Sequence, residues 1–405
     1  MTELRFREQG YGWVMVALAC VFIGSGFGML WSFSVFLKPL TTDFGWLRGE
    51  TSFAYSLAAF LIGVMGILTG TLTRFLSTRT LVLVGASGLA CSMALLSKIT
   101  ALWQLHVFYS LVGLSISALY VPLVANVGFW FDRNKGLAIG LTLGGQLAGA
   151  AIIPVVARHL ITNIGWSKTY AVLAVIAAML IPLALAIRQP PSARPNGGHA
   201  PTIGAKSSLD RIKDSHLTAV LCCAILCCCI PMSVPLIHAV ARTEDAGLAP
   251  ETASTVLSVM MVAGFCGRVL SGRLADHFGG LKVLMGASAL QTMTVFWFAL
   301  AWSLPSYYIL ATFFGLAYGG IMPSYAIILR ERLTINAAAR ALGLVYFFAQ
   351  IGMGLGSWLG GLAFDATGGY ILTFFLGVPS GLMNLFIILL LSRYLALKYR
   401  ASLSL

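Results

Sequence analysis

No carboxylate lies inside any long apolar run of this 405-residue chain, and only one base does: Arg268, within the stretch 252–272. The lack of an acid at depth counts against a carrier of organic cations, which needs a counter-charge where its cargo rests. Charged residues of either sign are scarce, 10% against 59% hydrophobic, and a mean hydropathy of +0.89 leaves too little polar surface to cover a water-soluble globule. The solvent for most of the chain is therefore lipid. The first nine residues show no small-residue cleavage signature, so the first apolar run is expected to be retained rather than removed as a signal peptide. An intramembrane enzyme needs a nucleophile with its base or histidines paired for a metal, and the single His238 in its apolar run gives no such constellation. The glycine runs Gly140 to Gly149 and Gly352-Met-Gly-Leu-Gly356 with Gly360-Gly361 lack the lysine and flanking strand of a phosphate loop. They suit close contact between helices. Cys222, Cys223, Cys227, Cys228 and Cys229 crowd one run, but their spacing scatters the thiols around a helix, which suits packing rather than metal binding.

What is present is a series of twelve apolar segments, cut at 12–37, 51–73, 80–97, 101–128, 136–157, 169–187, 217–240, 252–272, 283–304, 305–329, 341–364 and 369–392. Each is long enough to cross a hydrocarbon core, which takes about 20 helical residues. Lys38, Arg48, Lys98, Arg158, Lys168 and Arg242 are then the only bases on one side. The side bearing both termini has all the others except Arg268, and the positive-inside rule places it in the cytoplasm. The pI of about 9.6 thus follows from topology, and nucleic acid is not an expected partner.

The chain also repeats itself. Gly70-Thr-Leu-Thr-Arg74 reappears as Gly272-Arg-Leu-Ala-Asp276, Asp43-Phe-Gly45 as Asp245-Ala-Gly247, Glu50-Thr51 as Glu251-Thr252, and Gly140-Leu141 as Gly343-Leu344. Every pair is about 202 residues apart, half the chain, as a duplication requires. Residues 189–215 form the one long hydrophilic stretch, rich in proline and glycine at its start, and read as a linker ending in a short surface helix. The expected organisation is an N-terminal six-helix half at 1–188, a cytoplasmic linker at 189–215 and a C-terminal six-helix half at 216–405. Two such halves leave a cleft between them, where secondary carriers hold their substrates near the midplane.

The loop Gly272-Arg-Leu-Ala-Asp-His-Phe-Gly-Gly-Leu-Lys282 resembles the loop signature of the major facilitator superfamily, with Gly272, Asp276 and Gly279 at its conformational positions. Tyr11-Gly-Trp13, Trp31-Ser-Phe-Ser-Val-Phe36 and Phe129-Trp-Phe-Asp-Arg-Asn-Lys-Gly-Leu-Ala-Ile-Gly140 resemble its monocarboxylate transporter and oxalate/formate exchanger branch. The resemblance implies an all-α membrane protein of twelve transmembrane helices in two pseudo-symmetric halves. It implies alternating access and no cofactor, a monomer, and a bacterial inner membrane with both termini cytoplasmic. Three departures stand out. Arg74 occupies the acid's place in the first copy of the loop, and Gly264 and Trp31 stand where the branch commonly has an aspartate and a lysine. The ion-pair proton relay of animal relatives therefore does not carry over.

Arg268 lies eight residues before Asp276, about 12 Å along a helix at 1.5 Å per residue. That is too deep to snorkel easily, and a guanidinium there fits a carboxylate bidentately. Candidate partners are Tyr120 near Pro122, Tyr318 and Tyr325 flanking Pro323, and Tyr346 with Gln350, which share a helix face. Each is as readily read as interhelical packing. His238 follows two prolines, Pro231 and Pro235, where a bent helix is expected. It is the candidate proton carrier, the alternative being a ring bonded to a backbone carbonyl. The margin acids Asp43, Glu50, Glu251 and Asp365 are expected to face water. Together these point to a secondary transporter of a small organic anion, a monocarboxylate, with proton symport as one mode. A carboxylate exchanger, an exporter of another small molecule and a transport-dead sensor share the same fold.

Overall fold

The computed structural model describes residues 10–72, 75–131, 134–190 and 214–403, and the described residues are helical apart from short connections. Most of the 189–215 linker, with its expected surface helix, falls outside them. Twelve helical segments are long and apolar enough to cross a membrane. Spans 1 to 6 are Tyr11–Phe44, Arg48–Thr69, Thr78–Leu96, Leu102–Trp130, Lys135–Ile164 and Trp166–Ala184; spans 7 to 12 are Ser215–Asp245, Pro250–Phe278, Gly280–Leu300, Leu304–Arg332, Arg340–Thr367 and Tyr370–Leu397.

Several helices outrun the apolar stretches that announced them. Span 1 continues to Phe44 rather than 37, and span 7 to Asp245 rather than 240, so charged ends stay helical and project beyond the lipid-facing belt. Spans 9 and 10, which hydropathy leaves abutting, are separated where Ala301 turns to an extended backbone and Ser303 caps the next helix with Ser306. Pro231 and Pro235 do not interrupt span 7: one helix runs unbroken from Asp214 to Asp245. Breaks fall elsewhere. Span 6 interrupts at Met179 and span 12 at Leu376, each three residues before a proline (Pro182, Pro379) whose ring crowds the carbonyl four residues back. Span 1 interrupts at Ser32, whose hydroxyl donates to Met29 O at 2.7 Å, while Ser34 donates to Trp31 O. Such back-bonding competes with the helix ladder.

Lipid supplies no hydrophobic drive between helices, so close packing depends on small residues. Spans 1 and 5 meet where Gly149 lies on the Gly24 carbonyl, and spans 7 and 11 where Gly352 and Gly356 lie on Leu226 and Ile230. Spans 2 and 4 meet at Gly113 on Ala58, and spans 8 and 10 at Gly315 on Met260. Gly113 and Gly315, like Ala58 and Met260, are separated by the same interval as the sequence repeats. The duplicated pattern thus includes the points of backbone contact.

The first six spans meet the last six mainly along two seams, span 5 with span 8 and span 2 with span 11, and the end of span 1 also meets span 7. Along one, Thr162 donates to Glu251, Ser258 donates to Ala151 O, and Phe265 lies on Gly144. Along the other, Ser56 donates to Gly354 O at 2.7 Å and Phe347 lies on Gly63. Both seams run from the face away from the termini to mid-span. Beyond it, Ile67, Leu68, Leu137, Leu270, Leu274 and Leu342 of the same four spans are exposed.

Gly149→Val forces two backbones apart and is expected to cost about 1–3 kcal/mol as an overpacked contact. Gly140→Val, on the same span but with open space around it, leaves stability unchanged. Thermal unfolding of the two variants in detergent, followed by tryptophan fluorescence, checks the difference.

Candidate functional site

Span 8 carries Arg268 on a face stripped of bulk. Gly264, Gly267, Gly315 and Gly319 bring spans 8 and 10 into backbone contact, and the arginine stem extends past them toward span 5. Its Nη1 donates to Leu143 O at 2.9 Å, a bond from the last six spans to the first six. Its Nε is buried without a partner. A guanidinium has five donors in a planar fork, and this one is left with capacity to spare.

Aromatic side chains surround it. Tyr120 of span 4 and Tyr318 of span 10 lie within electrostatic reach of the guanidinium. Tyr346 of span 11 faces Tyr120 with ring centroids 5.8 Å apart and planes 9° from parallel. The Tyr346 hydroxyl is buried without a hydrogen bond of normal geometry, Gln350 one turn on being its polar neighbour. The structure therefore gathers Arg268, Tyr120, Tyr318 and Tyr346, with Gln350 alongside. It also adds residues the sequence did not single out as site residues. Trp31 meets the Tyr318 ring edge-on at 6.4 Å and donates from Nε1 to the Tyr55 hydroxyl at 3.3 Å, and Phe27 packs edge-on against Tyr120. Trp31 could have been flagged as an aromatic in a lysine's place, whereas nothing in the local sequence distinguishes Tyr55 from other span tyrosines. Gly264 has a steric reason: a Cβ there would already sit 3.2 Å from Tyr318 Cδ1, so a longer acid would collide with that ring.

Two candidates lie elsewhere. Tyr325 is fully buried beside the cysteines of span 7, its hydroxyl 3.4 Å from Asn384 Oδ1 of span 12, away from Arg268. His238 is fully buried, and its Nε2 donates to Ser357 O at 2.8 Å, tying span 7 to span 11. Its Nδ1 is buried without a partner, and its ring neighbours are Tyr370 and Gly360. In the loop motif, Gly279 ends span 8 at φ 82°, a conformation that favours glycine, and span 9 begins at the next residue. Asp276 is exposed, and Gly272 has open space around it. Arg74 lies outside the described residues.

The face away from the termini is held shut by charge. Lys38 Nζ lies 2.6 Å from Asp245 and 3.8 Å from Glu244, Arg48 Nη1 2.8 Å from Asp245, and Arg158 Nη1 3.4 Å from Glu244. The bases come from the first six spans and the acids from the seventh. Asp365 of span 11 accepts from the amides of Arg48 (2.9 Å) and Gly49 (2.6 Å), placing a carboxylate on the positive end of span 2. Arg48 also bonds the Tyr370 hydroxyl and lies over the Phe364 ring at 3.8 Å. Asp365 thus departs from the expectation that margin acids face water, because the amino end of a helix carries unsatisfied amides that a carboxylate satisfies, whereas Glu251 accepts from Thr162 across the other seam and still faces water as expected.

Removing one partner of a half-buried ion cluster leaves the others uncompensated. Asp245→Asn is therefore expected to open this face. With exposed Cys91, Cys223 and Cys266 replaced, a cysteine at Ser56, now sealed against Gly354, should react with an impermeant maleimide from this face several-fold faster in the variant.

Comparison with known proteins follows the same outline. The sequence pattern of the Major Facilitator Superfamily matches residues 14–236 and again 219–402. The uncharacterized MFS-type transporter YcxA of Bacillus subtilis is 26% identical over 84% of this chain and 85% of its own. Monocarboxylate transporter 13 of Rattus norvegicus is 25% identical over 91% and 86%. Among solved structures, the nucleoside transporter NupG superposes with a TM-score of 0.72 at 12% identity, covering 93% of this chain and 98% of that one. A bacterial homologue of the human lysosomal transporter Spinster, inward-facing and unoccupied, superposes at 0.69 with 13% identity, covering 98% of each. With twelve spans, seams between two helix groups and a family pattern over nearly its whole length, the chain is a multi-pass membrane transporter of the Major Facilitator Superfamily.

Proposed function

We propose that the chain carries a small organic anion, a carboxylate, by alternating access, with Arg268 as the group that binds it. The observation that carries this reading is the arginine's bond across the molecule. Of its donors, Nη1 is on the Leu143 carbonyl and Nε is buried unpaired, so the site is positively charged and short of acceptors. A carboxylate would supply two acceptors at once and form the stronger, charge-assisted pair. Taking that fork away from Leu143 would release a link between spans 8 and 5, so binding and movement of the helix groups would share one side chain. Relatives named as monocarboxylate transporters fit this substrate class.

The basic excess on the terminal face orients that face to the cytoplasm. The ion cluster then closes the outside, which alternating access would pair with access from the inside. His238 is the proposed proton carrier. Its bond to Ser357 O fixes the proton on Nε2 and leaves Nδ1 to take another. Because the ring is fully buried behind the closed face, it would load only after Lys38, Arg48 and Arg158 release their acids.

Uptake of labelled monocarboxylates by proteoliposomes tests both parts. Arg268→Lys keeps the charge but loses the fork, and its apparent affinity should fall about 10- to 100-fold, the worth of a charged hydrogen bond. Transport at the wild-type rate by Arg268→Ala would reject the assignment. An inward proton gradient should accelerate wild-type uptake, and His238→Gln should lose that acceleration while keeping exchange. A gradient response that survives in His238→Gln leaves the ring a hydrogen-bonded post between spans 7 and 11.

A further inference from the structure

Among the ring contacts that cross between the first six and last six spans, two involve the tyrosines gathered with Arg268. One is the near-parallel pair Tyr120–Tyr346, the other the edge-on pair Trp31–Tyr318. Resting on the anion reading above, we infer that the substrate is an aryl carboxylate, a flat aromatic ring joined to its carboxyl group directly or by a short chain.

The argument starts from what the walls offer. Around the guanidinium they present the faces and edges of four aromatic rings, whose polar atoms are the hydroxyls of Tyr120, Tyr318 and Tyr346 and the Trp31 indole N–H, the last already given to the Tyr55 hydroxyl. Gln350 adds an amide beside the Tyr346 hydroxyl. The Tyr120 and Tyr346 rings stand with centroids 5.8 Å apart and planes nearly parallel, the spacing of an offset stack, so a guest ring takes the place of one ring's face in that contact. Tyr120 and Tyr318 both lie within electrostatic reach of Arg268, so a carboxylate seated there leaves its substituent among these rings. A flat guest replaces each ring contact that is broken with one of the same kind. An aliphatic acid breaks the same contacts and returns less. Because the partners in each pair belong to opposite helix groups, the guest ring would bridge those groups as the tyrosines do now.

The test compares acids of equal carbon number, phenylacetate and cyclohexylacetate, together with acetate and propionate. Each is offered as a competitor of labelled phenylacetate uptake by the full-length carrier in proteoliposomes. Phenylacetate should compete roughly tenfold better than cyclohexylacetate, the scale of ring-on-ring contacts over area alone. Tyr346→Phe, which keeps the ring, should keep the preference, and Tyr346→Leu should lose most of it. Thermal unfolding of both variants verifies that the fold persists. Equal competition by the two cyclic acids, or a preference for acetate and propionate, rejects the inference while Arg268 remains the anion site. Phenylacetate uptake that is indifferent to Arg268→Ala removes the anion reading itself.

Discussion

A guanidinium carried into the interior of a membrane must find an anion, a carbonyl or water, and Arg268 finds the carbonyl of Leu143 on the opposite group of helices. Much of the central architecture serves that reach. Gly264, Gly267, Gly315 and Gly319 draw spans 8 and 10 together so that no side chain blocks the stem, and Gly144 accepts the Phe265 ring beside it. No carboxylate among the described residues is on hand to neutralise the charge, which makes the carbonyl a partner that a stronger acceptor can displace.

The ion pairs among the described residues lie at one face. Lys38, Arg48 and Arg158 meet Glu244 and Asp245, and Asp365 meets the amino end of span 2. Such contacts are strong where water is partly excluded, yet they break when water enters, which suits a closure that must reopen. Away from that face the seams are sealed by glycine against backbone and by aromatic rings, which slide or separate without stranding a charge. The molecule thus places a charged closure at one end, a single arginine in the middle, and exposed apolar side chains toward the other end.

Much of this was legible beforehand because lipid imposes simple rules. Runs of about 20 apolar residues, basic excess on alternate loops and a half-length repeat follow from burying every backbone amide and from gene duplication. Arg268 stood out because a lone base at depth is costly. Helix ends were read short, since a charged helical turn outside the lipid looks like a loop to hydropathy alone. Pro231 and Pro235 lie within a helix that stays unbroken, while Pro182 and Pro379 mark breaks that hydropathy does not register.

The sequence by itself determined the solvent, the number of crossings, the repeat and the arginine, because each depends on composition along one chain. Only tertiary structure decided which side chains meet. Tyr120 and Tyr346 are more than two hundred residues apart yet face each other, whereas Tyr318 and Tyr325, seven apart on one span, serve different places. Seven residues along a helix return a side chain to nearly the same face but about 10 Å further on. Whether that face meets a cleft or a neighbouring helix depends on the angle at which spans diverge. That angle comes from the glycine contacts and the charged closure, which join residues far apart in the chain.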